Sequence, residues 1–283
     1  MRTDILSVPG ASLYYEVRGV GPVLLLVCGG VYDAAGYAEL ARHFADRYTV
    51  VTYDRRGNSR SPLAGPPEPQ SIEVHSDDAA RVLAAVGVAA DAPAEVFGNS
   101  SGAIIALDLV ARHPELVRTV VAHEPPLFEL LEDRDHWRTL MRSVEETFRT
   151  AGPWAALETM NAGFAADQPS KSDAEAEQPP GPDADADAEV VARMQENFAF
   201  FVGYEVPPFA GYVPDLAALA AAPARVVPAV GEGSNGEPWV RAAGVLAERL
   251  GTEAVAFPGD HGGFGTEHEE FAARLDKILR AEG

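Results

Sequence analysis

Cysteine is almost absent: Cys28 is the only one among 283 residues. An intrachain disulfide is therefore excluded, and stability must come from a packed core in a chain compatible with a reducing compartment. Lysine is nearly as scarce, occurring only at Lys171 and Lys277. All basic residues together number 22 against 43 acidic ones, a formal net charge of -21. A surface of that sign repels phosphate backbones and anionic lipids, so neither nucleic acid nor a membrane is an expected partner. Long apolar runs are also missing. The longest, residues 23–28, is far short of the ~20 residues that cross a bilayer, and Met1-Arg2-Thr3-Asp4 lacks the apolar stretch of a secretory signal. A soluble cytoplasmic protein is the expectation. No fixed-period repeat and no Cys/His cluster at metal-ligand spacing is present, so neither metal nor organic cofactor is expected. No heptad pattern fixes an oligomeric state, and a homo-oligomer stays open.

What is present is enough apolar residue, 47%, for a sizeable core. Short β-rich runs alternate with helical patterns, which predicts βαβ units around a mostly parallel sheet. Strands are expected at 5–8, 12–17, 23–27, 50–53, 95–97, 117–122, 225–230 and 253–257, eight in all. Residues 23–27 are apolar on both faces, as a buried parallel strand requires. Helices are expected at 34–47, at 72–86 with Asp77, Asp78 and Arg81 on the wet face, and at 104–112, 239–250 and 269–279. From about 127 to 221 the rhythm breaks into helices at 137–148, 154–164 and 190–201. Between the last two lies an acidic Ala- and Pro-rich stretch near 167–188, expected to be a flexible loop. The expected organisation is a core of residues 1–126 and 222–283 carrying a helical cap of residues 127–221. Trp154, Phe200, Phe201, Tyr204, Phe209 and Tyr212 are candidate pocket residues, although packing within the cap is the default role for each.

The strongest chemical signal is Gly98-Asn99-Ser100-Ser101-Gly102, a G-x-S-x-G pattern between a strand and an apolar helix. The nucleophile of such a motif sits on a tight turn, small residues on either side let backbone approach, and the helix N-terminus favours developing negative charge. The register selects Ser100 as nucleophile and leaves the N–H of Ser101 to face an oxyanion. Val27-Cys28-Gly29-Gly30 ends a buried strand in a glycine turn that can aim the N–H of Gly30 at the same oxyanion. Cys28 reads as a small packing residue, with no histidine local to it. A serine hydroxyl needs an imidazole to take its proton. His261, in Pro258-Gly259-Asp260-His261-Gly262-Gly263-Phe264, lies between the last strand and the last helix and is the expected base. His268, between Glu267 and Glu269, reads as a helix start. His43, His75, His113 and His136 fall in or beside helices, where surface roles are expected. Glu124, in His123-Glu124-Pro125-Pro126, directly follows a strand and can reach the far nitrogen of His261. Glu232 and Glu237 stay open as alternative acids.

Over nearly its whole length the chain resembles the α/β-hydrolase superfamily, through the Ser100 motif, Tyr53-Asp54-Arg55-Arg56-Gly57-Asn58-Ser59-Arg60-Ser61 and the closing histidine. The resemblance implies the α/β-hydrolase fold: a mostly parallel eight-stranded sheet flanked by helices, with an inserted helical cap. Many members carry an Asp after the strand that follows the cap; here that loop, Gly231-Glu232-Gly233-Ser234-Asn235-Gly236-Glu237, has none. A narrower likeness links Gly98-Asn99-Ser100-Ser101-Gly102-Ala103 and His123-Glu124-Pro125-Pro126 to the zearalenone lactone hydrolases. It implies a glutamate acid at Glu124, oxyanion donors at Gly30 and Ser101, and an apolar ester or lactone as small-molecule substrate. Cys28-Gly29 departs from the commoner His-Gly or Asp-Gly, and the cap sequence has no counterpart. A Ser nucleophile argues against dehalogenase or epoxide hydrolase chemistry. Carbon–carbon bond hydrolysis, cofactor-free perhydrolysis and a small-molecule receptor on the same scaffold are the rival readings.

Overall fold

The computed structural model describes residues 1–166 and 188–281. The first half runs β1 (Arg2–Val8), β2 (Ala11–Arg18), β3 (Val23–Val27), α1 (Ala38–Arg42), β4 (Thr49–Tyr53), α2 (Ile72–Ala85), β5 (Ala94–Asn99), α3 (Ser101–Arg112) and β6 (Val117–His123). The described residues between β6 and the next strand form helices and loops only: α4 (Arg134–Ala151), α5 (Pro153–Ala166), α6 (Ala188–Phe200), α7 (Val206–Ala210) and α8 (Leu216–Ala221). The chain closes with β7 (Arg225–Gly231), α9 (Pro238–Arg249), β8 (Val255–Phe257), α10 (Gly263–Thr266) and α11 (His268–Arg280).

The eight strands form one sheet in the order β1-β2-β4-β3-β5-β6-β7-β8. The β1–β2 and β2–β4 pairs are antiparallel and every later pair is parallel. Period-two alternation divides the core. Leu25, Val27, Val96 and Val120 face α2, α3 and α9, whereas Leu24, Leu26, Phe97 and Val121 face α1 and α11. Leu24, Leu25 and Leu26 are all fully buried, each contributing about 1.5–3 kcal/mol through removal from water.

The register aligns the carboxyl ends of the central strands. Val27 pairs with Gly98, Asn99 with His123, His123 with Ala229 and Gly231 with Phe257. Ser100, Glu124, the loop after β3 and the loop after β8 therefore share one sheet edge, the usual location of ligand chemistry in open α/β sheets.

Three expectations need correction. The helix expected over 34–47 is a 3-10 turn, Ala34–Tyr37, followed by the short α1. Turn bonds from His43 to Leu40, Phe44 to Ala41 and Tyr48 to Phe44 then bring the chain round into β4. Asp78 is not on a wet face: it is buried and grips Arg56 through two hydrogen bonds of 2.7 and 2.8 Å. His75 is likewise buried, against the ring of Phe209, so it has no surface role. The helices expected at 137–148, 154–164 and 190–201 are present as α4, α5 and α6. The last runs on through a π-helical turn, Phe201–Glu205, into α7. The expected acidic loop lies, over 167–187, outside the described residues.

Candidate active site

Ser100 sits between β5 and α3 at φ 55° and ψ −126°, a conformation costing of order 1–3 kcal/mol that surrounding contacts must hold. Its N–H donates to His123 O (2.9 Å), and its carbonyl accepts from Ala103 and Ile104. The flanking glycines are required by close approach. A Cβ on Gly98 would stand 2.4 Å from Gly102 O, and one on Gly102 would stand 2.2 Å from Val27 O. The G-x-S-x-G spacing thus lets three backbone segments meet beneath the serine.

Glu124 also has a left-handed backbone, φ 49°. Its N–H is tied to Ala229 O at 2.9 Å, which fixes the turn out of β6. The side chain is fully buried. Oε1 accepts from the N–H of Gly231 at 2.7 Å, and Oε2 lies 2.6 Å from His261 Nδ1. Burial pushes this carboxyl up, but the His261 hydrogen bond and charge and the Gly231 N–H help to outweigh it and hold Glu124 below its ordinary range. The loop that lacks an aspartate therefore contributes a backbone donor to Glu124 instead. Glu232 is exposed, and Glu237 is the extended, buried residue that immediately precedes α9.

His261 is gripped on three sides. Glu124 takes Nδ1, the ring of Trp239 lies 4.8 Å away centroid to centroid, and the backbone carbonyl accepts from Asn99 Nδ2 at 3.0 Å. Asn99 Nδ2 also lies 2.9 Å from His123 Nδ1. Because the His261 carbonyl can only accept, this end of Asn99 must be the NH2 group, and His123 Nδ1 must be the unprotonated nitrogen. Burial among Phe97, Phe257 and Phe271 pushes His123 down to about 4, so its ring is neutral at pH 7. Among the described residues no hydrogen bond joins Ser100 to His261; the elbow and the histidine loop are connected through Asn99.

The N–H of Gly30 donates to Ser101 Oγ at 2.9 Å, so the loop after β3 reaches the first turn of α3. Cys28 is buried, its thiol donating to Asp33 O at 3.3 Å; burial pushes it well above its ordinary range and keeps it protonated. His268 is engaged elsewhere, 3.0 Å from His43 Nε2. Of the candidate pocket aromatics, Trp154 is exposed and stacks on Phe198, Phe209 is buried against His75, and Tyr212 bonds Asp108. Among the described residues no three His, Cys, Asp or Glu side chains converge as metal ligands, and no helix is long and apolar enough to cross a membrane.

Asn99 and Trp239 were not singled out by sequence. Asn99 occupies the unconstrained position of its motif, and Trp239 lies within an ordinary amphipathic helix, so neither carried a signal.

Residues 22–155 match the α/β hydrolase fold family. The chain is 40% identical to the uncharacterized hydrolase YraK of Bacillus subtilis (strain 168) over 98% of its own length and 96% of the relative's. The chain belongs to the α/β-hydrolase family. Solved α/β structures agree on the fold. A thermophilic esterase from Thermogutta terrifontis superposes on this α/β-hydrolase with a TM-score of 0.72 at 17% identity, covering 99% of this chain and 98% of that one. The enol-lactonase from Burkholderia xenovorans LB400 gives a TM-score of 0.68 at 16% identity, with 98% and 100% covered.

Proposed function

We propose that this α/β-hydrolase is a serine hydrolase that cleaves carboxylic ester or lactone bonds by two-step acyl transfer. The observation that carries the reading is the 2.6 Å contact of Glu124 Oε2 with His261 Nδ1, on the sheet edge that also holds the left-handed Ser100. Glu124 fixes the tautomer in which Nε2 of His261 is free to accept a proton. Ser100 Oγ attacks the carbonyl as His261 takes its proton. The N–H groups of Gly30 and Ser101 stabilise the oxyanion, and His261 then protonates the leaving alkoxide. Water, activated by the same imidazole, releases the acid and restores Ser100. In a lactone the acyl and leaving groups are one molecule, so the product is a single hydroxy acid.

The likeness of the Ser100 and Glu124 motifs to the zearalenone lactone hydrolases favours a lactone of that macrocyclic type. The names of the esterase and enol-lactonase neighbours are in keeping with ester or lactone cleavage. The test is hydrolysis by wild type, Ser100→Ala and Glu124→Gln on short p-nitrophenyl esters beside an aromatic macrolactone. Far faster opening of the lactone, lost in both variants, supports the lactonase reading with Glu124 as acid. Turnover of simple esters alone reduces the reading to an esterase. Undiminished activity of Glu124→Gln removes Glu124 from the triad.

A further inference from the structure

The loop after β3, whose Gly30 N–H is an oxyanion donor in the reading above, is held by side chains that reach it from far along the chain. Arg55 Nη1 donates to Cys28 O at 2.5 Å, and Arg55 Nη2 donates to Gly30 O at 2.7 Å. Arg55 is fully buried and is paired with Glu205, also fully buried, whose Oε2 accepts from Nη2 at 2.6 Å. The other oxygen of Glu205 accepts from Asn58 Nδ2 at 3.1 Å. Glu205 is the last residue of the π turn Phe201–Glu205 that follows α6, and such turns recur at functional sites.

About two turns earlier, Asn197 supplies a second arm. Its Nδ2 donates to Val31 O at 3.0 Å, and its Oδ1 accepts from the N–H of Ser59, a left-handed residue, at 2.7 Å. Between the arms the ring of Phe200 seals onto Gly57, where a Cβ would come within 2.1 Å of the ring. Three carbonyls of the loop, those of Cys28, Gly30 and Val31, are therefore fixed directly or through Arg55 by residues 197–205.

We propose that residues 197–205 form the rigid mount of the oxyanion loop, with Glu205 and Asn197 as positioning residues for the N–H of Gly30. The proposal rests on the serine hydrolase reading. The Gly29–Gly30 peptide that carries this N–H lies between two anchored carbonyls, so it has little freedom to turn. An oxyanion donor acts only when held at hydrogen-bond distance from the developing charge, and displacement of about 1 Å can cost about 100-fold. Glu205 touches neither Ser100 nor His261 by any described hydrogen bond; it acts through Arg55. The helical segment is then part of the machinery that stabilises the transition state.

The test compares wild type, Ser100→Ala, Glu205→Gln and Asn197→Ser in the full chain. It measures kcat and KM on the best ester, inhibition by a trifluoromethyl ketone that forms a tetrahedral adduct with serine, phosphonate labelling, and thermal unfolding. A glutamine amide must turn its NH2 toward Arg55 or Asn58, both donors, so one contact becomes repulsive. The expected result for Glu205→Gln is a kcat lower by roughly 10- to 100-fold, KM within about threefold, and ketone affinity lower by the same factor as kcat. Asn197→Ser, which leaves the buried ion pair in place, is expected to show the same pattern more weakly, and it decides the question if Glu205→Gln does not fold. Unchanged ketone affinity in a folded variant overturns the proposal, whatever happens to KM. Wild type labelled at Ser100 alongside unaffected variants removes this proposal alone. A wild type that takes no phosphonate at Ser100 removes the hydrolase reading and this proposal with it.

Discussion

At His123 and Ser101 single side chains set measurable properties of the site. The folded chain holds His123 neutral down to about pH 4, while the unfolded chain protonates it near its ordinary 6.5. Its pKa is lowered by folding, so its stabilisation is complete above pH 6.5 and is lost as pH falls towards 4. The gap is worth about 3 kcal/mol. Glu124, also lowered, adds to the loss only at more acid pH, as its folded carboxylate takes a proton. Urea unfolding of wild type between pH 7 and 4 should show a steep decline. His123→Phe, which suits the surrounding rings of Phe97, Phe257 and Phe271, should decline less over the same window, and equal slopes would remove His123 as the cause. Ser101 offers a kinetic test. Its hydroxyl occupies the N–H of Gly30, so a hydroxyl that merely yields to the oxyanion can be dispensed with. Ser101→Ala should keep kcat within about threefold, whereas a loss of 10²–10³-fold, the size expected for a missing oxyanion donor, would assign the hydroxyl itself as one.

At the scale of elements, the end of the helical segment is fastened to the sheet side by one carboxylate. Asp108 of α3 accepts from Tyr212 Oη at 2.7 Å and from Ser76 Oγ of α2 at 2.5 Å. Burial pushes this carboxyl up, and both hydroxyls oppose that shift, so removing one leaves an under-solvated acid. Tyr212→Phe should cost about 1.5–3 kcal/mol of stability while leaving kcat/KM intact; a large rise in KM would instead place Tyr212 in the substrate pocket. The same level separates what was legible in the sequence from what was not. The central strands could be read because both faces are buried and their apolar runs are uninterrupted, as at Val23–Val27. The elbow could be read because the contacts at Gly98 and Gly102 admit no side chain. The contact of Glu124 with His261 could be read from its place directly after β6. The split of the helix at 34–47 could not, because it depends on where β4 must begin. Asp78 was misread as exposed because its partner Arg56 is 22 residues away. Glu205 and Asn197 carried no signal, since one lies 150 residues from Arg55 and the other 166 from Val31.

For the whole molecule the governing quantity is the net charge of -21. A folded chain of this length has a radius of gyration of about 19 Å, against about 60 Å unfolded. At 10 mM salt the Debye length is about 30 Å, so every acidic residue of the folded chain senses most of the others, and unfolding relieves that repulsion. At 150 mM the length falls to about 8 Å, which cancels the long-range term. Salt also weakens surface ion pairs such as Arg138–Glu129 and Arg138–Asp135, whose atoms lie 2.5 and 2.8 Å apart. Exposed pairs of this kind are worth only about 0–1 kcal/mol each, and contacts far shorter than the Debye length lose little of that. The buried pairs Arg55–Glu205 and Arg56–Asp78 are screened less still. Repulsion therefore dominates the balance, and Tm should rise between 10 and 150 mM NaCl at pH 7.5. A falling Tm would mean that local ion pairing outweighs the surplus of 43 acidic over 22 basic residues.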